Sequence, residues 1–199
     1  MPRLFQHGPQ KIFSIFVCDM QEKVKLAGIS NYKQIISNIN LLTDAHENKI
    51  LGSKKSSGGI YAAILKPEKI GELDSDLKLP SYAHTFKKDT YTMFNPKIYA
   101  DLKQNGTTDI IITGVETNWC IKQTIESLKN YEYDLHLPID ALGCQNVLDG
   151  SMTLHEIQQK YKYITLTTTN NIIVDNLRHF DQPESKWYIK NKNKNNANE

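Results

Sequence analysis

Asp109-Ile110-Ile111-Ile112-Thr113-Gly114-Val115, running into Glu116-Thr117-Asn118-Trp119-Cys120, is the stretch that decides the fold of this chain. Its short apolar run, dominated by β-branched residues, reads as a strand buried in a sheet. A helix is predicted directly after it, over 119–128, because Ile121, Ile125 and Leu128 fall on one helical stripe. Working outward, 11–18 (KIFSIFVC) is a second buried strand of the same kind. Ser30 or Asn31 can cap a helix that carries Tyr32, Ile35, Ile36, Ile39, Leu42 and Ala45 on one face. Toward the C-terminus come a strand over 133–139, whose Pro138 marks the end of pairing, a helix over 152–161, a strand over 163–168 and a closing helix over 170–180. A brief strand is also expected at 49–51. This alternation predicts an α/β domain with a mostly parallel sheet and helices on both faces.

The 199 residues suit one domain, expected over 11–182, after an N-terminal segment, 1–10, and before a basic, disordered tail, 183–199. With 39% hydrophobic and 23% charged residues, the chain is too apolar for wholesale disorder. No apolar run approaches the ~18 residues of a membrane span, and none makes a signal peptide. A soluble, cytoplasmic protein is therefore expected, with a mitochondrial location left open. Net charge is +2, but the last fifteen residues hold four lysines and one glutamate, a net +3, so the body is near −1. Such a body, with Arg3 and Arg178 as its arginines, argues against nucleic acid as a partner. A small-molecule substrate fits better, and no membrane partner is expected.

The carboxyl edge of a parallel sheet is where ligands bind. The first strand delivers Asp19 there, and the strongest strand delivers Cys120 at the start of a helix. A helix N-terminus favours thiolate, so Cys120 reads either as an activated thiol or as packing. Cys18, inside a strand, and Cys144, in a loop, are read as packing, and the three cysteines show no zinc spacing. Trp119 could line an apolar pocket or pack the helix on the sheet.

Asp19-Met20-Gln21 after an apolar strand, Lys88-Asp89-Thr90-Tyr91-Thr92-Met93, and GVETNWC ending at Cys120 together resemble the isochorismatase-like cysteine hydrolases, in the branch of isochorismatase domain-containing proteins. The resemblance covers about residues 11 to 180. It implies a Rossmann-like three-layer sandwich and a catalytic triad of Asp19, Lys88 and Cys120, with Lys87 the alternative lysine. It further implies an oxyanion hole from the backbone N–H groups of Glu116 and Cys120, and a cis peptide bond at Val115–Glu116. Gln21, Tyr91 and Trp119 are candidate pocket residues, and homo-oligomers are common in the family.

Two features depart from the family pattern. Asp44-Ala45-His46 imitates part of the metal site of nicotinamidases, but it falls at a helix end, where both side chains are expected to face solvent, and no second histidine follows at useful spacing. No metal or cofactor is therefore expected. The segment 49–83 shows no robust strand, and its 52–59 portion (GSKKSSGG) reads as a polar loop that lacks the Gly-Lys-Ser/Thr of a P-loop. The expected function is a metal-independent cysteine hydrolase of a small amide, imide or related carbonyl compound, working through a covalent cysteine intermediate. The altered segment motivates the alternative, a weak or inactive family member that serves as a binding or scaffold protein.

Overall fold

The computed structural model describes residues 11–48, 51 and 58–180, with side chains through 176. The terminal segments 1–10 and 183–199, and most of the polar 52–59 stretch, lie outside the described residues. So do residues 49 and 50 of the brief strand expected at 49–51, while Leu51 sits in a turn.

Seven strands form one sheet: β1 (Phe13–Cys18), β2 (Ile60–Leu65), β3 (His84–Lys88), β4 (Asp109–Val115), β5 (Asp134–Pro138), β6 (Leu142–Gly143) and β7 (Ile164–Thr167). Their order is β3-β2-β1-β4-β5-β7, the two-residue β6 extends pairing at the end of β4, and every pairing is parallel. The central strands β1 and β4 are buried along their whole length, as their unbroken apolar runs require. One core packs Phe16, Ile110, Ile112, Ile125, Leu135 and neighbours on one face. The other packs Ile15, Val17 and Ile111 against Ile35, Ile39 and Leu42 of helix α1 (Tyr32–Glu47). This is the α/β sandwich expected, with helices on both faces of a parallel sheet. Among the described residues no helix is long and apolar enough to cross a membrane.

Several expectations need correction. The strand beside β1 is not at 49–51 but at β2, IYAAIL, so the 49–83 segment does contain a robust buried strand. The preceding Gly58 and Gly59 lead into it without being part of it: both are buried, and Ile15 N donates to Gly59 O at 2.9 Å. A Cβ on Gly58 would lie 2.1 Å from Phe13 O, so this glycine allows close strand approach. Helices α2 (Pro67–Ile70) and α3 (Pro96–Gln104) follow β2 and β3; Asn95 caps α3 by accepting from Lys97 N and Ile98 N. The helix after β4 begins as a wide turn, Thr117–Ile121, before α4 (Lys122–Leu128). Helix α5 (Val147–Lys160) starts five residues earlier than its hydrophobic stripe suggests, because Asn146 caps it; α6 (Thr169–Phe180) closes the chain. Finally, His46 does not face solvent. It is 2% exposed at the end of α1, with Nδ1 3.1 Å from the Tyr82 hydroxyl, and burial holds its pKa below the usual histidine value. Asp44 is exposed as expected.

The end of β4 depends on a glycine. Gly114 pairs with Cys18 and has φ +100°, and a Cβ there would lie 2.1 Å from Cys18 O. Both backbone conformation and space exclude a side chain. Gly114→Ala is expected to cost about 3 kcal/mol of stability, read by urea denaturation; a change within about 0.5 kcal/mol, the range of an ordinary surface substitution, would contradict this account of the strand end.

Candidate active site

Three chain segments leave the carboxyl edge of the sheet and meet. Asp19 is the first residue beyond β1, with φ 50°; Lys88 is the last residue of β3; Cys120 sits in the wide turn after β4. Strand β3 lies two positions from β1, about 10 Å at the usual strand spacing, so only a long side chain can reach from it to the centre. The two-residue period of β3 settles which lysine does so: Lys87 is exposed and Lys88 is buried.

Lys88 Nζ lies 2.8 Å from Asp19 Oδ2, 3.3 Å from Cys120 Sγ and 3.0 Å from the Tyr91 carbonyl oxygen. An ammonium has three protons to donate, and these three acceptors use them all. Asp19, Lys88 and Cys120 are 4%, 6% and 5% exposed, so the group is nearly dry. Burial alone would lower the Lys88 pKa, but its interactions with Cys18, with the Asp19 carboxylate and with Cys120 outweigh it and hold the amine above its ordinary value. Lys88 is therefore a fixed cation at neutral pH. Asp19 Oδ1 is buried without a hydrogen-bond partner, which leaves one carboxylate oxygen available to accept a proton.

Hydrogen bonds tie down the turn that carries the sulfur. The Val115–Glu116 peptide bond is cis, and Trp119 N and Ile121 N both donate to Glu116 O. One turn later, Thr124 Oγ1 donates to Cys120 O at 2.7 Å and accepts from Met93 N at 3.0 Å. Thr124 thus ties the segment after Lys88 to the turn that carries Cys120. Sequence reasoning missed it, although its place four residues after Cys120 on a helix was the signal.

Sequence reasoning also assigns Cys18 only a packing role, whereas its Sγ donates to Asp19 Oδ2 at 3.5 Å. Cys18 Sγ, an Asp19 carboxylate oxygen and Cys120 Sγ all lie within 4.8 Å of one another. Such donors would suit a soft cation, but the Lys88 ammonium already supplies the positive charge between Asp19 and Cys120. Like-charge repulsion at this range opposes a metal there.

Tyr91 and Trp119 are about half exposed, with ring centroids 5.7 Å apart and a 41° tilt. Tyr91 lies three residues after Lys88, and Trp119 immediately precedes Cys120. Gln21 is placed differently. It is fully buried, its amide nitrogen donates to Leu65 O and Gly71 O, and its amide oxygen accepts from Leu65 N, so it clamps the end of β2. A separate depression of about 530 Å³ is lined by Asn31, Gln34, Thr117, Asp140, Cys144 and His155 among others, without Asp19, Lys88 or Cys120.

Comparison with known proteins bears on the family and the fold. A family model for the isochorismatase domain matches residues 14–169. The chain is 28% identical over 172 residues to isochorismatase domain-containing protein 1 of Danio rerio, a match covering 86% of this chain but 57% of that one. The chain therefore spans less than two thirds of that relative's length. Among solved structures, a hypothetical protein from Trypanosoma cruzi aligns with a TM-score of 0.79 at 24% identity, over 93% of each chain. A structure described as a MAR1 ribonuclease from Caenorhabditis elegans aligns with a TM-score of 0.75 at 25% identity, over 90% of this chain and 88% of that one.

Proposed function

The chain belongs to the isochorismatase family, and from that premise we propose that it is a metal-independent cysteine hydrolase of a small amide, imide or related carbonyl compound. The observation that carries this reading is the convergence of a carboxylate, a buried ammonium and a thiol on one point, with Lys88 bonded to both other groups. A thiol needs a base to take its proton and a cation to hold the resulting charge; Asp19 and Lys88 supply these.

In this mechanism Asp19 accepts the Cys120 proton, and Lys88 holds the thiolate. The sulfur attacks the substrate carbonyl carbon, and the oxyanion that forms accepts hydrogen bonds from the backbone N–H groups of Glu116 and Cys120. Collapse of the tetrahedral intermediate expels the leaving nitrogen, which takes the proton back from Asp19 and leaves a thioester on Cys120. Asp19 then deprotonates a water that attacks the thioester, and the carboxylic acid departs as the thiol is restored. Tyr91 and Trp119 form an aromatic lip for the substrate. A thiolate suits a planar acyl carbon, so the ribonuclease activity named for the nematode protein is not carried over.

The test is a panel of small amides, imides and thioesters, read by product release and by the intact mass of the trapped acyl-enzyme, with Cys120→Ala as the control. Turnover that needs Cys120 supports the proposal. If every compound is untouched, the hydrolase reading falls and the scaffold alternative replaces it.

A further inference from the structure

The hydrolase mechanism uses one sulfur, yet two are present. Cys18 ends β1, is fully buried, and pairs in register with Gly114 of β4. The absence of a side chain at Gly114 lets β4 pass close over the Cys18 backbone before the chain turns to present Cys120. The two sulfurs consequently lie within 4.8 Å of each other, with Asp19 beside both. Packing alone explains a small apolar residue at position 18; it does not explain a thiol aimed at the reactive sulfur.

The two thiols are unlike each other. Burial pushes the Cys18 pKa well above its ordinary value, and its hydrogen bond with Cys120 and the charge of Asp19 push it further. Cys18 is thus a protonated thiol at neutral pH. Cys120 faces the Lys88 ammonium at 3.3 Å and retains slight solvent contact. A cation-paired sulfur beside a second thiol is a setting for reversible cysteine oxidation.

We infer that Cys18 is a resolving thiol for Cys120, so that a hydroperoxide converts the pair to a Cys18–Cys120 disulfide and switches the site off reversibly. In the first step the Cys120 thiolate attacks a peroxide oxygen; the O–O bond breaks, the sulfur becomes sulfenic acid, and the departing hydroxide takes a proton to leave as water. In the second step Cys18 loses its proton as its sulfur attacks the sulfenic sulfur, the S–O bond breaks and a second water leaves. Two thiols and one hydrogen peroxide thus give one disulfide and two waters. The Thr117–Ile121 turn is the segment that adjusts to bring the sulfurs to bonding distance. The disulfide spares Cys120 from sulfinic and sulfonic acid, which a simple thiol reductant does not reverse. This inference rests on the reactive-thiol reading of Cys120 but on no particular substrate.

Trypsin places the three cysteines on different peptides, 12–23, 104–122 and 130–160, so the test is direct. The reduced full chain is treated with a few equivalents of hydrogen peroxide, remaining thiols are blocked with N-ethylmaleimide, and the unreduced digest is mapped by mass spectrometry. Peptides 12–23 and 104–122 are expected joined, two hydrogens lighter than their sum, and separable by dithiothreitol, while Cys144 stays blocked by maleimide. In Cys18→Ala and Cys18→Ser, peptide 104–122 should instead carry sulfinic or sulfonic acid that dithiothreitol does not remove. A mere packing defect would lower the melting temperature without changing this oxidation product. The inference is overturned if Cys120 in the wild-type chain reaches sulfinic acid as fast as in the variants with no linked peptide, or if the link goes to Cys144. The iodoacetamide alkylation rate of Cys120, measured on a separate sample not exposed to peroxide, separates the two readings. Fast alkylation of Cys120 without a link removes the resolving role and leaves the hydrolase; slow alkylation without a link removes both.

Discussion

Cys120→Ala is expected to lower kcat/KM by about 10⁴-fold or more on any compound the wild-type chain hydrolyses, the scale seen when a covalent nucleophile is removed. The fold should survive. Cys120 is small, so losing its sulfur removes little packing, but it leaves one proton of Lys88 without its acceptor, an expected cost of about 1–3 kcal/mol. Far-ultraviolet circular dichroism and a denaturant melt check this alongside the kinetics. Cys120→Ser is the sharper variant. It keeps an atom for Lys88 to contact, but a hydroxyl holds its proton far more tightly than a thiol does, and Asp19 cannot remove it as readily. The serine variant is therefore expected to be nearly as inactive as the alanine variant. Substantial turnover in Cys120→Ala would show that the chemistry runs elsewhere.

The second large effect concerns the buried ion pair. Lys88→Met leaves Asp19 as an unpaired charge in a site that is almost dry, and removing one member of such a pair is expected to cost about 3–5 kcal/mol of stability. Asp19→Asn leaves the Lys88 ammonium with only the sulfur and the Tyr91 carbonyl, at a similar cost. Both variants should also lose turnover, one for lack of a cation and the other for lack of a base. The double variant Asp19→Asn/Lys88→Met removes both charges at once, so it should regain much of the lost stability while remaining inactive. Urea denaturation of the four proteins measures the coupling. Additive stability losses would mean that the 2.8 Å contact contributes little, and activity in the double variant would remove both residues from the mechanism.

How far the sequence could be read depends on how each element is stabilised. β1, β4 and α1 were legible because burial alone dictates their composition: continuous apolar runs for strands covered on both faces, a three-and-four spacing for the helix. β3 was not, since His84-Thr85-Phe86-Lys87-Lys88 is an edge strand that is mostly exposed and needs no apolar pattern. β2 was obscured by the glycines before it, which read as loop punctuation but allow close contact with β1. The start of α5 was hidden because Val147 and Leu148 face solvent and the helix opens on the Asn146 cap rather than on its apolar stripe. At the candidate site, Asp19 and Cys120 could be placed from strand ends, whereas Lys88 rested on resemblance alone, and the two-residue period of a strand not seen in the sequence separates it from Lys87. Cys18 reads as packing in the sequence because its distance from Cys120 depends on the pairing of two strands nearly a hundred residues apart, which no local pattern reports. Gln21 is a pocket candidate by motif position, and only the clamp it makes on Leu65 and Gly71 shows its other task.

The central claim is that Asp19 and Lys88 make Cys120 unlike the other two cysteines, and the rate at which iodoacetamide modifies each of the three near neutral pH tests it without knowledge of the substrate. The account predicts that Cys120 is alkylated at least about tenfold faster than Cys18 or Cys144, and that this advantage disappears in Lys88→Met and Asp19→Asn. Slow modification of all three cysteines at similar rates, unchanged by either substitution, would contradict it.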